Sequence, residues 1–316
     1  REALYMTLLG HMREMKGALK EATVQISLAR AESLARVDGV LRERAIITKL
    51  TSSRDCPEFI PTPSIPSKDA SFISIPYPFV PRCALEAVIA CGGGSKVEVV
   101  RYYVASLTLV LEYLHSMDVI FRGMDPETMP IDEHGALRLT DFRFAKHLDV
   151  NDSTPGRTYT VCGVAAYMAP EVAQSTGHDE RADWFSLGVF IAHLLRGTPP
   201  FGMRVAHKTY EAICACDLTD TFREGADPRA TALARDLLVV DPEARLHTAK
   251  AVKQSALLRD IDLDTLDTSR PPAEVEKLTR SAYRGRGVPP IRDATEPTVF
   301  DTSWVDTFMA LDTIAP

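Results

Sequence analysis

The sequence predicts an α+β chain, with strands early and helices through most of the rest. Two observations carry this. ATVQISLA, residues 22–29, alternates and is rich in β-branched residues, the mark of a half-buried strand. Residues 96–118, around VEVVRYYVASLTLVLEYLHSM, hold an apolar helical period over their whole length. Composition sets the frame. The chain has 316 residues, 43 acidic against 36 basic, and a net charge of −7. An apolar content of 45 % is ordinary for a globular protein. The length allows two or three domains. The acidic balance leaves no footprint for nucleic acid. No run of ~18 apolar residues occurs, so no membrane span is expected. The opening REALYMTLLG has neither an initiator methionine nor a signal-peptide pattern, as in a piece of a longer cytoplasmic chain. Six cysteines (Cys56, Cys83, Cys91, Cys162, Cys214, Cys216) lack paired metal spacing and read as free thiols in a reducing compartment.

The elements follow in order. LLGHMREMKGALK (8–20) holds Gly10 and Gly17 and reads as a strand–turn–strand or as a helical segment. The strand 22–29 comes next. AESLARVDGVLRERAIITKL (31–50) has helical period, with Leu34, Val37, Leu41 and Ile46 on or near one stripe. CPEFIPTPSIPSKDASFISIPYPFVP (56–81) is proline-rich, which suits edge strands and a stiff connection. Gly92–Gly93–Gly94–Ser95 reads as a helix C-cap and turn, because no lysine–serine pair follows to make a phosphate loop. The long helix over 96–118 then leads into the central stretch. DVNDSTPG (149–156) has the composition of a loop.

Leu114–Glu171 organises the rest. It reads LHSMDVIFRGMDPETMPIDEHGALRLTDFRFAKHL, then the polar insert, then GRTYTVCGVAAYMAPE. Downstream come ADWFSLG at 182–188 and DPEARL at 241–246. This succession resembles the catalytic loop, metal loop, activation segment and anchor of the protein kinases. It is most similar to the AGC group, above all its cyclic-nucleotide-dependent serine/threonine members. The resemblance implies a bilobal fold: a β-rich N-lobe over 1–80, a mainly helical C-lobe over 81–270, and an AGC-type C-terminal tail over 271–316. In the tail, VPPIRDATEPTVFDTSWVDTF (288–308) is similar to the family segment that crosses both lobes. Phe300 would be the aromatic that approaches the adenine pocket.

The resemblance also implies roles, residue by residue. Phosphoryl transfer is mostly positioning and charge stabilisation. Gly123 stands where the family has its aspartate base, Asp125 where it has a lysine, and Thr128 where it has a metal-binding asparagine. A positioned base is worth ~10²–10⁴-fold, and a glycine supplies none. Asp141 keeps the place of the metal-binding aspartate. Arg143 replaces the glycine of the metal loop and reads either as a surface arginine or as a cation paired with Asp141 or Asp125. No lysine occurs between Glu21 and Thr48, so the phosphate-gripping ammonium is absent, with Gln25 or Ser27 expected in its place. Glu43 matches the glutamate of the family's third helix and is expected to pair with an arginine or meet solvent. Pro78 falls near the hinge amide that would bond adenine, and proline has no N–H to give.

The structural parts of the motif are present. Thr160 takes the activation-loop phosphosite position, with Arg122 as the partner the family implies. Glu171 and Arg245 would form the family's structural ion pair. Asp183 would hold the catalytic-loop backbone. His193 replaces a glutamate with which basophilic members read arginine. The reading that follows is a pseudokinase: a scaffold or regulatory module with neither ATP nor Mg²⁺ as cofactor. One alternative is an atypical serine/threonine kinase using ATP and Mg²⁺, with Asp125 as base. Another is an ATP-binding allosteric switch that keeps Asp141 and one ion. Partners would be proteins or a larger assembly, cytoskeletal or ciliary by analogy. The resemblance also suggests an upstream cyclic-nucleotide-binding region.

Overall fold

A six-residue antiparallel ladder anchors the N-terminal part of the chain. In the structure, a computed structural model, residues 5–6, 22–28, 37–79, 81–148, 155–284 and 303–311 are described. Gly10, Gly17, most of the 149–156 insert and Phe300 lie outside these residues. Strand β2 (Ala22–Ser27) pairs with β4 (Phe72–Tyr77) from Ala22 opposite Tyr77 to Ser27 opposite Phe72. Strands β1 (Tyr5–Met6) and β3 (Ser67–Lys68) flank them, giving the order β1-β2-β4-β3. Helix α1 (Val37–Ser52) carries Asp38 in its first turn and Lys49 in its last, charges that suit its dipole.

Period-two alternation sorts the ladder into two faces. Ile26, Ile73, Ile75 and Tyr77 are buried on one face, with Val24 packed beside them and Val40 of α1 against them. The C-terminal helix, α10 (Ser303–Ala310), completes this small core with Val305 and Phe308, both fully buried. Burying each such side chain contributes about 1.5–3 kcal/mol. Arg44 lies within the same core with its guanidinium 5.5 Å from the Phe308 ring centre, an arrangement that favours retained charge in a desolvating site.

The chain leaves this lobe through Pro78. Strand β5 (Pro81–Ala84) no longer belongs to the first sheet but pairs with β7 (Pro130–Asp132). Helix α2 (Leu85–Ala90) and a 3₁₀ turn at Gly93–Ser95 follow. Helix α3 (Val97–Ser116) is the spine of the large core: Val99, Tyr103, Leu107, Leu111 and Leu114 are fully buried along it. Strand β6 (Val119–Ile120) pairs with β8 (Lys146–His147), which brackets the loops between them. The short α4 (Pro170–Ala173) begins with proline at its first turn. Helix α5 (Arg181–Arg196) is buried nearly all round and ends at Gly197 in the left-handed conformation. Helices α6 (Ala206–Ala215), α7 (Pro228–Leu237), α8 (Ala249–Lys253) and α9 (Ala273–Arg284) complete this lobe. Asp227 caps α7 by accepting from the Arg229 and Ala230 amides. The result is the bilobal arrangement expected: a small sheet with one helix over a larger helical body. Among the described residues, no helix is long and apolar enough to cross a membrane.

Candidate active site

Asp183, at the start of α5, positions the loop that would carry the chemistry. Its carboxylate accepts the Phe121 and Arg122 amides, each at 2.8 Å, and lies 2.8 Å from His115 Nε2. The Trp184 indole packs edge-on against His115. These bonds hold Arg122 at φ 54°, a conformation unusual for a non-glycine residue. The turn leads directly into residues 123–128.

Within that loop the backbone and Thr128 turn onto Asp125. The Glu127 amide donates to Asp125 Oδ1 at 3.0 Å. The Thr128 amide and hydroxyl both donate to the Asp125 carbonyl, at 3.0 and 3.2 Å. Burial, more than any neighbour, lifts the Asp125 carboxyl from 3.8 to about 6. Gly123 has no side chain to offer, and a Cβ there would meet the Phe121 ring at 3.2 Å.

Across the gap, Arg143 clasps Asp141. Its Nε donates to both carboxylate oxygens at 2.8 Å, and one Nη adds a further contact to Oδ2. Each side chain keeps only about a quarter of its surface exposed (24 % and 21 %). Of the two expectations for Arg143, the pair with Asp141 is the one found. The Phe142 ring is buried edge-on to Phe121. Its amide donates to Glu43 Oε1 at 2.9 Å. Glu43 is thus buried and tied to the metal-loop backbone, which corrects the expectation of a solvated side chain. A carboxylate in a desolvated site needs such donors.

The residues expected in place of the missing lysine lie together on one strand face. Gln25 and Ser27 share the β2 face turned away from the small core, and Gln25 Nε2 donates to Ser74 Oγ at 3.2 Å. The face that holds Tyr77 carries Val24 instead. The Tyr77 phenol is raised by burial first and then by the Glu43 charge, so this is the side that meets α1. At the hinge, Pro78 is exposed, and the Phe79 amide donates to Tyr77 O at 2.9 Å.

The activation segment returns beside the loop. Thr158 forms an antiparallel bridge with His178, and Lys146 Nζ donates to the Thr158 hydroxyl at 3.3 Å. Thr160 is exposed. Arg122 turns its Nε to the Phe144 carbonyl at 2.8 Å, while its Nη1 and both His178 ring nitrogens are buried without a hydrogen bond. Burial depresses His178 to about 4 and also lowers Arg122. Gly163 has φ 107°, and a Cβ there would lie 2.6 Å from the Arg122 carbonyl. Only glycine fits this close approach. Nearby, Glu171 and Arg245 form a bidentate pair at 2.7 and 3.0 Å, with the Arg245 side chain wholly buried. Removing one partner of such a pair leaves an uncompensated buried charge.

Sequence reasoning missed three contacts. Lys146 meets Thr158, Tyr167 hydrogen-bonds His193 Nδ1, and Glu86 Oε2 lies 3.6 Å from His193 Nε2. Burial holds His193 at about 4. These pairings join residues far apart in sequence, and no local pattern announces them.

Comparison with known proteins agrees with this geometry. The family model for the protein kinase domain matches residues 13–257. The chain belongs to the protein kinase family. It is similar to the mouse cAMP-dependent protein kinase catalytic subunit PRKX, with 33 % identity over 67 % of this chain and 59 % of that one. It is 36 % identical to a Dictyostelium discoideum cAMP-dependent protein kinase catalytic subunit over 52 % of this chain and 25 % of that one. It is 33 % identical to the Drosophila melanogaster cAMP-dependent protein kinase catalytic subunit 3 over 69 % of this chain and 35 % of that one. These relatives are AGC kinases, and the chain spans less than two thirds of the length of each of the three.

Proposed function

We propose that this protein kinase domain is a pseudokinase, a binding or regulatory module that transfers no phosphate. The observation that carries this reading is the Arg143 clasp on Asp141, the one side chain left from the family's metal set. A guanidinium held on both carboxylate oxygens competes directly with a magnesium ion. The other position of that set does not fit the ion either: the Thr128 hydroxyl is turned to the Asp125 carbonyl. The absence of a lysine between Glu21 and Thr48 and the proline at position 78 remove further grips on a nucleotide. The residues present therefore do not suit Mg²⁺–ATP.

The retained parts serve shape. Asp183, Glu43 and the Glu171–Arg245 pair stabilise the arrangement of lobes, loop and segment. Rigid presentation of a surface is what a scaffold requires. We place its partners among proteins, including a larger assembly of cytoskeletal or ciliary type and a cyclic-nucleotide-binding region on the same polypeptide. The apolar side chains of Tyr159, Val161, Met203 and Val205 are each more than 40 % exposed and suit such contacts.

A second reading is favoured by Asp125 alone. A carboxyl raised to about 6 beside the gap is the kind of group that serves as a general base. Titration of the chain with ATP and Mg²⁺, followed by thermal unfolding and by phosphate transfer to peptide or to itself, separates the readings. The scaffold reading expects no shift at millimolar nucleotide. A shift without transfer supports a nucleotide-bound switch. Transfer that Asp125→Asn abolishes would establish the atypical kinase.

A further inference from the structure

Away from the gap between the lobes, three chain segments meet to build an arginine-lined cavity that the reading above does not use. Its volume is about 290 Å³, and Arg82, Glu133, His134, Arg270, Arg280 and Tyr283 are on its walls. The β5–β7 pairing sets Pro81 opposite Asp132, which brings Arg82 beside the turn that holds Glu133 and His134. Helix α9 lies across this turn. Gly135 sits there at φ 93°, and a Cβ would meet Val275 at 2.7 Å and Thr279 at 2.8 Å. This close packing fixes α9 and so places Arg280 and Tyr283 on the cavity, with Arg270 entering just before the helix.

The cations are held in place but not saturated. The Arg82 guanidinium lies 5.1 Å from the Tyr283 ring centre, and its nearest carboxylate oxygen, on Glu133, is 3.7 Å away, beyond a hydrogen bond. Arg270 and Arg280 share a single carboxylate, Glu276. Three guanidinium groups thus face two carboxylates, leaving net positive charge before His134 is counted. Each guanidinium carries five N–H donors in a planar fork, so most donors remain available to a ligand. Planar forks of this kind match the oxygens of a phosphate. The volume lies near the lower edge of the ~300–1,000 Å³ range of small-ligand pockets, enough for a phosphate and part of its carrier. The Tyr283 ring offers that carrier an apolar wall.

We propose that this cavity binds a phosphomonoester dianion, carried by a phosphorylated protein segment or by a small metabolite. Its test is calorimetric titration of the full chain at constant ionic strength. The probes are inorganic phosphate, glycerol 3-phosphate, a short phosphoserine peptide and the same peptide unphosphorylated. The phosphate-bearing probes should bind saturably, with Kd of about 1 mM or tighter. Affinity should fall ~10-fold or more in Arg82→Gln/Arg280→Gln and stay unchanged in Arg143→Gln, which alters only the gap between the lobes. The single Arg280→Gln, on an exposed helix position, supplies a folded variant should the double one unfold. Tighter binding of the phosphopeptide assigns the site to a protein segment, and tighter binding of glycerol 3-phosphate assigns it to a metabolite. No saturable binding of any phosphate-bearing probe, or binding that both arginine variants retain, overturns the proposal.

Discussion

Replacing Arg143 by glycine should release Asp141 and restore part of its affinity for a metal–nucleotide complex. The two side chains are held by a forked contact with both Nε distances at 2.8 Å, and both are largely shielded from water. Hydrogen bonds to charged groups contribute about 1.5–3 kcal/mol net. An incoming ion must first displace them, so the clasp should weaken metal binding by ~10–150-fold. Calorimetric titration with Mg²⁺–ATP would compare the wild type, Arg143→Gly and Arg143→Gln. The glutamine variant removes the charge without adding backbone freedom. Both variants should bind more tightly than the wild type by a factor in that range, and neither should transfer phosphate, since Gly123 still supplies no base. Equal affinity across the three proteins would refute the idea that the guanidinium blocks the ion.

Three other predictions follow from the same geometry. Asp125→Asn should raise stability at pH 7.5: a carboxyl held at about 6 against 3.8 disfavours folding by up to ~3 kcal/mol, and by about 1–2 once partial exposure is allowed for. The sign follows from linkage: a raised folded value adds stability below 3.8 and loses it as pH climbs through 6, so the gain should vanish near pH 4, and a pH-independent gain would point elsewhere. Glu43→Ala should destabilise by about 1–3 kcal/mol and speed hydrogen exchange at the Phe142 amide, because that donor loses its acceptor; unchanged exchange there would contradict the assignment. Phe308→Ala should lower stability by about 3–5 kcal/mol, as it opens the small core and uncovers buried Arg44, and a loss under 1 kcal/mol in denaturant titration would show that α10 is not part of that core.

The fold and the residue types at the site could be read from the chain alone. Strand alternation at 22–29, the long helix before the loop and the ADWFSLG and APE markers are local patterns, and they sufficed for two lobes. Absences were equally legible: a glycine at 123 bears no carboxylate in any conformation, and no lysine exists between 21 and 48 to be moved. Which side chain meets which was not legible. Val24 rather than Gln25 turns to α1 because a one-residue slip in a strand reverses its faces, and that register is set by β4, some fifty residues later. Arg143 on Asp141, Glu43 on the Phe142 amide and Lys146 on Thr158 were settled by packing and desolvation around each charge. Three arginines from distant segments converge on one cavity because a β-pair and a helix crossing bring them there, and neither leaves a trace in local spacing.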